Sequence, residues 1–135
     1  MLRPQSFASV ARRYYTSKMA AFTSIKVVKD IQNGMSINVG FTKRGNKHLF
    51  SDSMGRSKVL HKSDLLEMPS ILNESKHVKS SGLSKVRDDR ITKFHYFKAR
   101  LHGNIVYLNV AEETRVSKGR EQKIRYVYSV TDKIK

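Results

Sequence analysis

Apolar and polar residues alternate with a period of two over 91–101, 105–112 and 122–131, as expected of strands that bury one face. Gly103-Asn104 separates the first pair and predicts a hairpin turn; ETRVSKGREQ (113–122) reads as a charged loop between the second pair. Nearer the N-terminus, SIKVVKD (24–30) and MSINVGF (35–41) predict two short strands across an Asn33-Gly34 turn. TKRGNKHLFSD (42–52) reads as a basic loop leading into a short helical turn, and SMGRSK (53–58) as another loop. HKSDLLEMPSILNES (61–75) carries Leu65, Leu66, Ile71 and Leu72 on one helical stripe, with Ser63 as its N-cap. Pro69 cannot donate to the preceding turn and should break or restart that helix. KSSGLSKVRDDR (79–90) is polar and predicts a mobile loop. The order implies an α+β fold, with N-terminal helical segments packed on a C-terminal antiparallel β-meander.

Sorting the meander by parity yields two faces. One holds His95, Phe97, Ala99, Leu101, Val106, Leu108, Val110, Tyr126, Tyr128 and Val130, apolar enough to pack on the 61–75 helix. The other holds Phe94, Tyr96, Lys98, Arg100, Ile105, Tyr107, Asn109, Arg125, Val127, Ser129 and Thr131. A solvated sheet face is normally polar. This one, however, mixes cations, phenols, an amide and hydroxyls, a combination suited to phosphate contact and base stacking.

Charge sharpens that picture. Lys and Arg number 27 against 11 acidic residues, a formal +16, which attracts polyanions, nucleic acid first. The 135 residues suit one domain, and 39% apolar with 28% charged residues is a globular composition. There are no cysteines, so disulfides, thiolate catalysis and Cys-based zinc sites are excluded. His48, His61, His77, His95 and His102 show neither H-x3-H nor HExxH spacing, so no metal or other cofactor is expected. No apolar run approaches a membrane span.

MLRPQSFASVARRYYTSKM is Arg- and Ser-rich, and no acidic residue precedes Asp30. Residues 1–22 are therefore set apart as a basic arm or mitochondrial targeting segment, ahead of a single domain over 23–135. The expected location is cytoplasmic, or mitochondrial if 1–22 is a transit peptide.

GNKHL (45–49), KFHYFKARL (93–101), VYLNVAEE (106–113) and YVYSVTDKI (126–134) resemble the barnase–EndoU–colicin–RelE-like nuclease domains of phages, mobile elements and polymorphic toxins. The resemblance implies a metal-independent endoribonuclease. Such an enzyme needs a base for the ribose 2′-OH, cations for the phosphate and an acid for the leaving 5′-oxygen. It points to His48 for proton transfer, Lys98 and Arg100 on the scissile phosphate, and Ser129 and Thr131 as hydroxyl donors. Tyr96, Tyr107 and Asn109 would contact the nucleotide, as would Lys43, Arg44, Lys47 and Lys62 in the basic segments. His61 is a second proton-transfer candidate, better explained as a residue leading into a helix. Glu112 would be the base in a barnase-like site, and otherwise a solvated turn residue.

The expected partner is RNA, with a small acidic immunity protein if the domain is a toxin, and the free protein is expected to be a monomer. A different reading explains the charge, size and arm without an active site: a non-catalytic RNA-binding protein such as a mitochondrial ribosomal protein.

Overall fold

A computed structural model describes residues 7–32, 34–81 and 90–134. Helix α1 (Phe7–Ala20) and a 3-10 turn (Ala21–Ser24) lead into a hairpin of β1 (Lys26–Asp30) and β2 (Ser36–Gly40). Helix α2 (Lys43–Ser51), a π turn (Asp52–Arg56), a 3-10 helix (Lys62–Glu67) and α3 (Met68–Glu74) follow. Strands β3 (Lys76–Ser80), β4 (Ile91–Leu101), β5 (Asn104–Ser117) and β6 (Arg120–Thr131) complete the chain as an antiparallel meander. The six strands form one sheet in the order β1-β2-β6-β5-β4-β3, with β2 and β6 parallel at Gly40 and Tyr126. The fold is α+β, with helices packed on the meander.

The sheet curls until its edges meet. Gln32 N–H donates to His77 Nδ1 at 3.1 Å, and the Lys29 ammonium donates to the carbonyls of Asn73 and Ser75. Lys29 is 7% exposed; those two carbonyls and the Phe97 ring 5.8 Å from its nitrogen take the place of water. Inside the curl, Ile37, Val39, Phe97, Val106, Leu108, Val110, Val127 and Val130 pack against Leu49, Phe50, Leu60, Leu65, Met68 and Leu72 from the helical segments.

Several expectations shift. The arm at 1–22 includes α1, whose Met19 is buried in the main core with Ala11, Tyr15 and Phe22 packed on it. Its packed part therefore belongs with the domain. The 61–75 helix is a 3-10 segment that restarts as an α-helix around Pro69 at its N-terminal turn. Its N-terminal flank is His61, not Ser63, because the Asp64 carboxylate reaches back to accept from His61 N–H at 2.8 Å. The β4–β5 turn is His102-Gly103, one residue earlier than expected, with φ of 52° and 79°. The supposed charged loop at 113–122 is mostly strand. Lys118 (φ 52°) and Gly119 (φ 75°) make a two-residue turn of the same hand, which matches the twist of the ribbon and lets pairing run almost to the tip. Of the loop at 79–90, Lys79 and Ser80 end β3, an edge strand too short for its alternation to register, while 82–89 lie outside the described residues. Asn33 of the first turn also lies outside them; Gly34 is in the left-handed region at φ 85°.

One bulge changes the faces of β6. Asn109 pairs with Ser129, but Val110 pairs with Val127, leaving Tyr128 as an extra residue. Below the bulge the parity reverses from the expected one. Val127 joins the core, while Tyr126 and Tyr128 move to the opposite face beside Phe94 and Tyr96.

Candidate active site

Cross-strand pairing builds the site from two rows on the outer face of the meander. Tyr96 pairs with Asn109 and Asn109 with Ser129; Lys98 pairs with Tyr107 and Tyr107 with Thr131. Arg100 lies opposite Ile105, two residue pairs beyond Lys98 and Tyr107. These side chains thus share the face that parity assigned them.

Helix α2 forms the facing wall. Thr42, in extended conformation, caps it by accepting from Gly45 N–H at 3.0 Å, which turns the chain from β2 into the helix. Asn46 then donates to the Met19 carbonyl at 3.1 Å and ties α2 to α1. This places His48 over β6. Its ring stacks on Tyr128 with centroids 4.0 Å apart, and its Nδ1 lies 2.8 Å from the Tyr128 carbonyl and 3.3 Å from Asp52 Oδ2. A carbonyl oxygen can only accept, so Nδ1 carries the proton and Nε2 of the neutral ring keeps a lone pair.

A cleft of 660 Å³ lies between these walls. His48, Tyr96, Asn109, Ser129 and Thr131 line it, and so do Asp52, Lys58, Phe94, Tyr128 and Lys133. The hydroxyls are ordered. Asn109 Nδ2 donates to Ser129 Oγ at 2.7 Å and to Thr131 Oγ1 at 3.2 Å, and Thr131 donates onward to the Lys133 carbonyl at 2.8 Å. Ser129 already accepts, so its own proton is left to donate to a ligand. The Lys58 loop is pinned by Ser57, which donates to the Val130 carbonyl at 3.1 Å and accepts from Val59 and Leu60 N–H.

The remaining expected residues fall elsewhere. Lys98, Arg100 and Tyr107 continue the outer face but do not line the cleft. Lys43 is exposed at the start of α2, and Lys62 is half-buried at the start of the 3-10 helix. Arg44 lies 3.7 Å from the buried Glu113 carboxylate, close to the Tyr126 phenol, whose pKa burial and Glu113 push well above the usual range. Lys47 lines a second groove of 640 Å³ on the far side of α2, with Arg12, Arg13, Thr16, Ser17 and Phe50. His61 stacks on His102 away from the cleft.

Glu112 is not a solvated turn residue. It is 5% exposed and faces inward, where Arg125 Nε donates to it at 2.6 Å and His95 Nε2 lies 3.1 Å away. It ends a directed chain. Gln32 N–H fixes His77 Nδ1 as an acceptor, so His77 Nε2–H donates to Ser80 Oγ (2.8 Å). Ser80 in turn donates to His95 Nδ1 (2.7 Å), and His95 Nε2–H donates to Glu112. The chain spans β3, β4 and β5, and none of its residues lines the cleft.

Sequence reasoning missed Asp52, Lys58, Tyr128 and Lys133. Asp52 carried a usable signal, since it lies four residues after His48 on one helical face. The two lysines carried none. No protein-family model, curated protein or solved structure matches this chain. Among the described residues, no helix is long and apolar enough to cross a membrane.

Proposed function

We propose that the protein is a small metal-independent endoribonuclease that cleaves by attack of a ribose 2′-OH on the adjacent phosphodiester. The observation that carries this reading is the placement of His48: its Nδ1 is held by the Tyr128 carbonyl, and its ring lines one cleft with two ammonium groups, a serine hydroxyl and an aromatic wall. His48 Nε2 takes the 2′-OH proton while the O2′–P bond forms. Lys58, Lys133 and the Ser129 hydroxyl steady the phosphate oxygens, and one of the two ammonium groups gives its proton to O5′ as the P–O5′ bond breaks. The products are a 2′,3′-cyclic phosphate and a 5′-hydroxyl end. Tyr96, Phe94 and Tyr128 offer ring surface for a base. Lys98 and Arg100 guide the flanking strand along the sheet, and the Arg12–Lys47 groove offers it a second track.

A non-catalytic RNA-binding protein is the second reading. It is favoured by the cations that lie outside the cleft, above all the β5–β6 arm, where every residue from 115 to 123 is exposed and four are Lys or Arg. The deciding experiment incubates purified full-length protein with RNA in EDTA. Cleavage that disappears in His48→Ala, with the circular dichroism spectrum unchanged, supports the nuclease; tight binding by the wild-type protein without cleavage supports the other reading.

A further inference from the structure

We infer that His61, Asp64 and His102 form a binding site for a divalent first-row transition metal of the zinc class, separate from the cleft. Their ligand atoms all lie within 4.8 Å of one another, although two come from the start of the 3-10 helix and the third from the β4–β5 turn. His102 Nε2 stands 3.0 Å from both oxygens of Asp64. Donors bound to one zinc ion at about 2.0–2.2 Å stand about 3.0–3.5 Å apart, so His102 and the carboxylate are already spaced to share an ion. The metal takes the place of the Nε2 proton, and the ring then carries its proton on Nδ1.

A His–Asp hydrogen bond by itself needs no second imidazole. Here the His61 ring is held against His102, centroids 4.3 Å apart and planes 19° from parallel, so a side-chain rotation of an exposed residue completes the set. Asp64 is 6% exposed and anchored by His61 N–H, which fixes the carboxylate that offsets the ion's charge. Two imidazoles and one carboxylate favour Zn²⁺ and its neighbours over Mg²⁺ or Ca²⁺, which prefer all-oxygen sites. The bound ion would fasten the hairpin turn to the helical layer.

The test uses the full chain, stripped of metal with a chelator that is then removed. ZnCl₂ is titrated by calorimetry, and CoCl₂ by visible absorption as a coordination probe. One equivalent should bind, raising the thermal midpoint, and His61→Ala and His102→Ala should each weaken binding at least tenfold with circular dichroism unchanged. If His102→Ala unfolds, the exposed His61 decides the matter through His61→Ala and His61→Gln. No saturable binding overturns the inference, and so does binding that survives His61→Ala at full strength.

Discussion

A Cβ on Gly45 would stand 2.5 Å from the carbonyl oxygen of Val127 and 2.8 Å from the Tyr126 ring. No side chain fits there, so the bare Cα of Gly45 is what allows α2 to lie against β6 with His48 stacked on Tyr128. Gly45→Ala should therefore destabilise the protein by about 1–3 kcal/mol, since its neighbours include backbone that cannot swing aside. A urea titration measures the loss. The same variant should lower RNA cleavage more than it lowers RNA affinity, because His48 moves with the helix.

For the proposed cleavage, His48→Ala should reduce the rate by about 10²–10⁴ while RNA affinity changes little. Asp52→Ala should cost less, because the Tyr128 carbonyl still holds Nδ1 after the carboxylate has gone. Single-turnover cleavage in EDTA, beside anisotropy measurements of binding, separates the two effects.

Acid should weaken the fold in two stages. Burial pulls the His95 imidazole below its ordinary value, although Glu112 pulls the other way, and burial and then His95 lower His77. Burial tends to raise Glu112, but the bonds from His95 and Arg125 outweigh it, so its pKa is also lowered. All three groups take up protons more readily in the unfolded chain, so stability rises with pH across each titration. The contribution of the imidazoles is complete above about pH 6.5 and is lost as pH falls through their depressed folded values. That of Glu112 follows at lower pH. Urea midpoints measured from pH 8 to 4 should decline accordingly, and His95→Gln should flatten the upper stage. A wild-type profile that stays level through pH 6.5 to 5 would refute this.

The β5–β6 arm should govern affinity and leave the chemistry alone. Replacing Arg115, Lys118, Arg120 and Lys123 together by Ala should weaken RNA binding and flatten its dependence on log salt concentration by about 0.7 for each phosphate no longer neutralised. Binding at four salt concentrations gives the slope. Cleavage of saturating RNA should be unchanged.

Some of this was legible along the chain. The alternation of β4 found Ile91–Leu101 to the residue, and the parity of Tyr96, Lys98, Tyr107 and Asn109 put them on one face. These are local properties: a strand in contact with a core declares its inward residues by composition. The parity of β6 failed at Tyr128, because a bulge adds one residue without changing the hydrophobic pattern that surrounds it. Glu112 looked like a turn residue because its compensating partners, His95 and Arg125, lie 17 and 13 positions away in the chain.

The chain on its own settled the α+β class, β4 with the inner parts of β5 and β6, and the cationic, hydroxyl-bearing composition of one sheet face, since each follows from side-chain period and charge within a short window. Folding in three dimensions decided which of those residues meet. The approach of α2 to β6 at Gly45 brought His48 and Asp52 over Ser129, and the β4–β5 turn carried His102 to Asp64. Neither meeting leaves a trace in local spacing, because distances between separate segments are set by how the core packs.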